Sequence, residues 1–170
     1  MNHHAKRYIR NLIEQGEHRQ LDFKFEINDA KKIARTLVAF ANTDGGRLLI
    51  GVKDNGKISG IKSEEEYYMV QTAANNFCRP EVKFETRNWT LEGKTVMEVH
   101  VPPATHKPHF AKDDHNRWMA YHRVDDQNYL ANKILLELWK YEKRKRGTLI
   151  RFTRNEELSL IHISEPTRPY

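Results

Sequence analysis

The chain has 170 residues, a formal net charge of +6 and 38% hydrophobic residues, enough for one domain with a sizeable core and not for two. No apolar run reaches the roughly 18 residues that a bilayer crossing needs, the N-terminus has no apolar signal core, and the single cysteine, Cys78, excludes an internal disulfide. A soluble cytoplasmic protein is expected, with a charge that permits a polyanionic partner and that a solvated surface explains almost as well.

Tyr8, Ile9, Leu12 and Ile13 form the apolar stripe of an N-terminal helix that Gly16 ends; His3 and His4 are read as exposed. Leu21, Phe23 and Phe25 then alternate with Asp22, Lys24 and Glu26, which predicts a half-buried strand with Asp22 and Lys24 adjacent on its outer face. Asn28 and Asp29 offer a cap to a helix with Ile33, Leu37, Phe40 and Ala41 inward, and Gly45 and Gly46 stop it. Leu48 to Val52 is an unbroken apolar run, typical of a strand buried on both faces. Asp54-Asn55-Gly56 supplies a tight hairpin turn, after which Lys57 to Ile61 is expected to pair back along that strand.

Ser63 and Glu66 make a capping box for a third helix with Tyr67, Val70, Ala74 and Phe77 as its stripe, broken by Arg79-Pro80. Val82 to Leu91 and Thr95 to Val101, joined by Glu92-Gly93, predict a second hairpin. Ala104 to Asn116 reads as a polar loop carrying His106-Lys107-Pro108-His109, and Trp118 to Val124 as another strand. Asn128 is expected to cap a last helix with Leu130, Ile134, Leu135, Leu138 and Trp139 on its apolar face. Lys140, Lys143, Arg144, Lys145 and Arg146 crowd the end of that helix, where they suit its dipole and phosphate contact equally. The order of elements predicts an α/β fold (α+β mixed), a layer sandwich of a mixed sheet with β-hairpins and packed helices. Cys78, beside Phe77 near a helix end, reads as a small buried residue, with a reactive thiol the lesser alternative.

The string AFANTDGGRLLIGVKDNGKISG, preceded by GEHRQLDFK and followed by HKPHF and YHRVDD, resembles the AlbA_2 domain of Schlafen proteins and many bacterial proteins, over about Glu17 to Ala131. The resemblance implies an AlbA-like nucleic-acid-binding fold, with Asn42, Gly45, Gly46, Gly51 and Gly56 as its structural motif positions. It further implies a bacterial regulatory context in which the domain precedes a winged helix or an ATPase-like region. On that pattern residues 1–146 are the domain and 147–157 a linker into a following one. Residues 158–170 are set apart, because LSLIHISEPTR resembles the translation of a sequencing adapter.

In the Schlafen branch three acidic positions form a metal-dependent RNA endonuclease site. Glu17 and Asp22 have the spacing of the first two, and the third falls on Lys53, which breaks the site, or on Asp54, which preserves it. Three carboxylates within about 4 Å repel by about 4 kcal/mol per pair at an effective dielectric near 20, so such a trio needs Mg²⁺ or Mn²⁺, with Lys24 placed to stabilise charge on phosphate. The plainer alternative makes Asp22 and Lys24 an exposed ion pair. The histidines His100, His106, His109, His115 and His122 lack a partnering cysteine pair, so no zinc site is expected. The absence of GxxxxGK[ST] leaves this stretch without a P-loop for ATP.

Phosphate contacts are assigned to Lys24, Lys53, Lys107, His109, Arg123, Lys143 and Arg144, with an ion pair to Asp125 or Asp126 as the alternative for Arg123. The leading function is nucleic-acid binding, DNA before RNA. The alternatives are a Schlafen-like endoribonuclease and an interaction or assembly domain that presents a C-terminal region and contacts no nucleic acid; a homo-oligomer is a further expected partner.

Overall fold

The structure, a computed structural model, describes residues 3–155, with side chains to residue 145. The described residues fall into two compact units that divide between Ala131 and Asn132. In the first, α1 (His3–Gln15) leads to β1 (Leu21–Lys24), and α2 (Ala30–Asn42) carries the chain across to β2 (Gly46–Ile50), parallel to β1. After α3 (Glu65–Asn76) come β3 (Cys78–Arg79) and the hairpin of β4 (Glu85–Leu91) and β5 (Lys94–Val101). Four strands make the main sheet in the order β1-β2-β5-β4. β6 (Phe110–Lys112) and β7 (Trp118–Met119) join β3 in a three-stranded sheet, while β8 (Tyr121–Val124) pairs with β9 (Gln127–Leu130). The mixed α/β sandwich expected from the order of elements is present.

Two apolar clusters separate the layers. Ile33, Leu37, Val38 and Phe40 of α2 and Val70, Ala73 and Ala74 of α3 bury against Leu48, Ile50, Met97, Val99 and Val101. On the other sheet face Ile9 of α1 packs with Leu21, Phe23, Leu49, Val52, Leu91 and Val96. β2 lies between two strands and under helices on both sides, which is why its sequence is apolar without alternation. Asp29 caps α2, its side chain accepting the Lys31 N–H at 3.0 Å. Gly45, with φ of +74°, sits where a Cβ would meet the Val101 carbonyl oxygen at 2.6 Å, so no other residue fits the turn from α2 into β2.

Several segments depart from expectation. β1 stops at Lys24, and Phe25 is 42% exposed. The turn after Val52 forms, but Lys57 to Ile61 makes one bridge, Val52 to Ile58, and no strand. Gly51, itself at φ +97°, then accepts both the Ser59 and Gly60 N–H groups, and Ile61 turns away to bond Thr95. The predicted loop 104–116 contains β6, and the single strand over 118–124 is broken into β7 and β8. Asn128 lies in β9. The cap of the last helix is Asn132, whose Oδ1 accepts the Leu135 N–H at 2.8 Å, and Leu130 belongs to β9.

In the second unit α4 (Lys133–Asn155) runs on through Gly147, where a linker was expected to begin. It leaves Ile134 and Leu138 exposed and buries Trp139. The rest of that linker and the adapter-like tail lie outside the described residues. No helix among the described residues is long and apolar enough to cross a membrane.

Candidate functional site

Asp22 stands opposite Leu48 in the parallel register, so it points to the layer of α2 and not to solvent. It is 4% exposed because the β8–β9 hairpin brings Arg123 over it. Arg123 Nη2 lies 3.3 Å from Asp22 Oδ1 and also donates to the carbonyls of His18 at 3.1 Å and Leu21 at 3.2 Å. Its Nη1 donates to Asn128 Oδ1 at 2.9 Å, and its plane sits 5.1 Å from the Phe40 ring centroid. Asn128 in turn donates to Thr36 on α2, and the Arg123 N–H donates to Thr43 Oγ1. Arg123 is therefore a buried tie between β8 and β1. This corrects its assignment as a phosphate contact and replaces Asp125 or Asp126 with Asp22 as its partner. Lys24 Nζ, 3.4 Å from Asp22 Oδ2, keeps 39% of its side chain exposed, so the pair is half buried and not an outward one.

Glu17 closes the cluster from the loop before β1, its Oε1 accepting the Phe23 N–H at 3.0 Å. Burial, the hydrogen bond it shares with Asp22 and the negative charges of Asp22 and Asp54 push its carboxyl up to about 7. Asp54, exposed in the turn after Val52, contributes the smallest of these effects. Lys53, exposed, turns over the Phe25 ring with Nζ 5.3 Å from its centroid. The three acids are neighbours, yet among the described residues no three His, Cys, Asp or Glu side chains are placed to hold a metal ion. Both Asp22 oxygens already face cations, Oδ1 Arg123 and Oδ2 Lys24. That donor set does not fit a divalent cage, and no metal-assisted step is derived from it.

A carboxyl whose folded-state pKa is raised favours the native state when protonated, so its stabilisation is complete below the unfolded value and fades as pH rises towards 7. Glu17 is partly exposed, and after screening its share is about 1 kcal/mol. Glu17→Gln keeps the acceptor for Phe23 and is expected to flatten the loss of stability between pH 5 and pH 8 by about that amount, raising the Tm at pH 8 by about 3 °C. Parallel melting curves at the two pH values check it, and an unchanged pH dependence would remove the carboxylate contact from the account.

The loop residues have structural partners. Lys107 Nζ donates to the Thr43 carbonyl at 3.2 Å, and His109 Nδ1 lies 2.8 Å from the Pro80 carbonyl oxygen. Asn42 joins this loop to α2 and β8, donating to the carbonyls of His109 and Tyr121 and accepting the His109 N–H. Lys143 and Arg144 fall in α4 of the second unit. Burial pushes the Cys78 thiol up to about 12, which makes it a packing residue.

Sequence reasoning missed Glu98, a 5%-exposed acid of β5 that accepts from the Tyr8 hydroxyl and from Trp89 Nε1 and pairs with Arg47 at 3.4 Å. Burial of the Tyr8 hydroxyl, the larger cause, and its bond to Glu98 raise the Tyr8 pKa. The signal was a lone acid inside the strand Thr95 to Val101, unreadable without the residue that covers it.

Against known proteins, residues 17–132 match the family model described as Schlafen, AlbA_2. No match was found among curated proteins. Among solved structures, the DIP2311 protein from Corynebacterium diphtheriae superposes with a TM-score of 0.54 at 20% identity, over 82% of this chain and 28% of that one, a likeness of fold. The N-terminal domain of a putative ATP-dependent DNA helicase RecG-related protein from Nitrosomonas europaea aligns with a TM-score of 0.47 at 24% identity, over 74% of this chain and 95% of that one. With more than half its length matched by the family model and its motif residues placed at the turns and ties described above, this chain belongs to the Schlafen AlbA_2 family.

Proposed function

We propose that this chain is a nucleic-acid-binding module that engages the phosphate backbone through cations bordering the buried acid pair, with DNA the first ligand to test. The observation that carries the reading is the exposed end of β1. There Lys24 emerges past Asp22, and the exposed Phe25 ring has Lys53 at 5.3 Å and Lys62 at 5.9 Å from its centroid. Glu26 takes part of the Lys62 charge at 3.2 Å and Asp22 part of the half-buried Lys24 charge at 3.4 Å, while Lys53 is exposed beside an apolar surface that phosphate and sugar can cover. Family membership and the net charge of +6 support the same partner. A nuclease reading would need Asp22 free to bind a cation, and Arg123 holds it.

Neutralising about three phosphates gives a slope of log K on log salt of about −2.7, so affinity for a duplex should fall roughly 40-fold between 50 and 200 mM salt. Lys53→Glu should reduce the slope by about one. Fluorescence anisotropy over a salt series measures both, and binding that is indifferent to salt would overturn the reading.

A further inference from the structure

The small sheet of β3, β6 and β7 has two faces of opposite character. Cys78, Ala111 and Met119 share the inner face by register and pack on the α2–α3 core. Arg79 pairs with Phe110, and Lys112 with Trp118, which places these four on the outer face. The Arg79 guanidinium lies 4.5 Å from the Trp118 ring centroid, and Lys112 Nζ lies 5.8 Å from it. Arg79 is exposed, while Lys112, Phe110 and Trp118 are half-buried, so the rings stay accessible. These four positions are two cations and two aromatic rings. The nearby Asp113 is occupied by Arg117, at 3.0 Å.

From this arrangement we infer that the outer face of the β3-β6-β7 sheet is a stacking platform for unpaired bases of a single-stranded nucleic acid. The inference rests on the nucleic-acid reading above and adds to it a second surface and a strand preference. The Arg79 guanidinium lying over the Trp118 ring offers a base a flat, polarisable surface, and Lys112 takes a flanking phosphate. A duplex cannot stack on such a face, because its base planes are already stacked on each other and only its edges and phosphates remain to meet the cations. Buried packing alone explains Cys78, Ala111 and Met119; it does not explain two cations gathered on an accessible tryptophan.

The full chain is tested by anisotropy against a labelled oligo-dT or oligo-U of about 15 nucleotides and against a duplex of the same length, at low salt. Trp118→Ala is expected to weaken single-strand binding roughly tenfold and duplex binding less than about twofold, and Trp118→Phe to restore most of the loss. Arg79→Ala, at an exposed side chain, carries the test if Trp118→Ala does not fold, with a loss of about threefold or more expected for the single strand alone. Single-strand affinity unchanged in these variants, or lost equally for the duplex, overturns the platform and leaves the phosphate reading standing. A wild-type chain that binds neither ligand overturns both.

Discussion

Arg123→Met should destabilise the domain by about 3–5 kcal/mol, measured by urea unfolding. The side chain of Arg123 is 1% exposed, and four protein groups depend on it: the Asp22 carboxylate, the carbonyls of His18 and Leu21, and the Asn128 side chain. Methionine matches the volume beside Phe40 but leaves Asp22 buried with only Lys24, at 3.4 Å, to balance it. Unpaired burial, and not loss of a contact, is what makes the change expensive. Arg123→Lys keeps the charge and loses the fork that reaches four acceptors at once, so about 2 kcal/mol of the loss should persist. Asp22→Asn in the Arg123→Met background removes the stranded charge, and the pair of changes should cost less than their sum by about 1–3 kcal/mol. A single Arg123→Met change costing under about 1 kcal/mol would show that the pair contributes little beyond filling space.

The same residue shows where sequence reading reached its limit. Alternation at Leu21, Asp22, Phe23 and Lys24 correctly separates two faces of β1, but period-two pattern carries no information about which layer covers the polar one. The covering element, β8, lies about a hundred positions later, and no local rule connects Asp22 to Arg123. Features fixed locally were legible: the cap at Asp29, the apolar run of β2, and the Glu92-Gly93 turn, where both residues take positive φ.

Short elements were not legible. β6 spans three residues between polar neighbours, too few to show a period, and it borrows its stability from β3 and β7. Asn128 has the chemistry of a helix cap, yet its side chain is committed to Thr36 and Arg123, and tertiary bonding overrode the propensity. For the candidate site, it was the resemblance to the Schlafen branch that singled out Glu17 and Asp22, whose carboxyls share a hydrogen bond. The cations that occupy Asp22 come partly from elsewhere in the chain, and they change what the acids can hold.

Asn42→Ala should cost about 3 kcal/mol, close to the effect at Arg123 and by a different route. Its side chain is 2% exposed and makes three hydrogen bonds to backbone: Nδ2 donates to the carbonyls of His109 and Tyr121, each at 2.9 Å, and Oδ1 accepts the His109 N–H at 2.7 Å. Alanine strands all three groups, each worth about 1–3 kcal/mol when left unsatisfied, and partial relaxation towards water brings the total below their sum. Asn42→Asp keeps the acceptor but sets a carboxylate against two carbonyl oxygens, so it should be at least as damaging above the carboxyl pKa. This amide bonds the end of α2 to both the loop before β6 and the strand β8, alongside the Ala104 N–H to Ala41 carbonyl bond on the loop side and the Arg123 N–H to Thr43 Oγ1 bond on the β8 side. Loss should therefore show first in hydrogen exchange, as faster exchange of the His109 amide and of β8, before the β1-β2-β5-β4 sheet responds. β8 carries Arg123 and the loop leads into β6, so the same variant should loosen both the acid pair at Asp22 and the stacking face at Trp118. Unchanged protection at His109 together with a loss under about 1 kcal/mol would mean that the loop holds its place without Asn42.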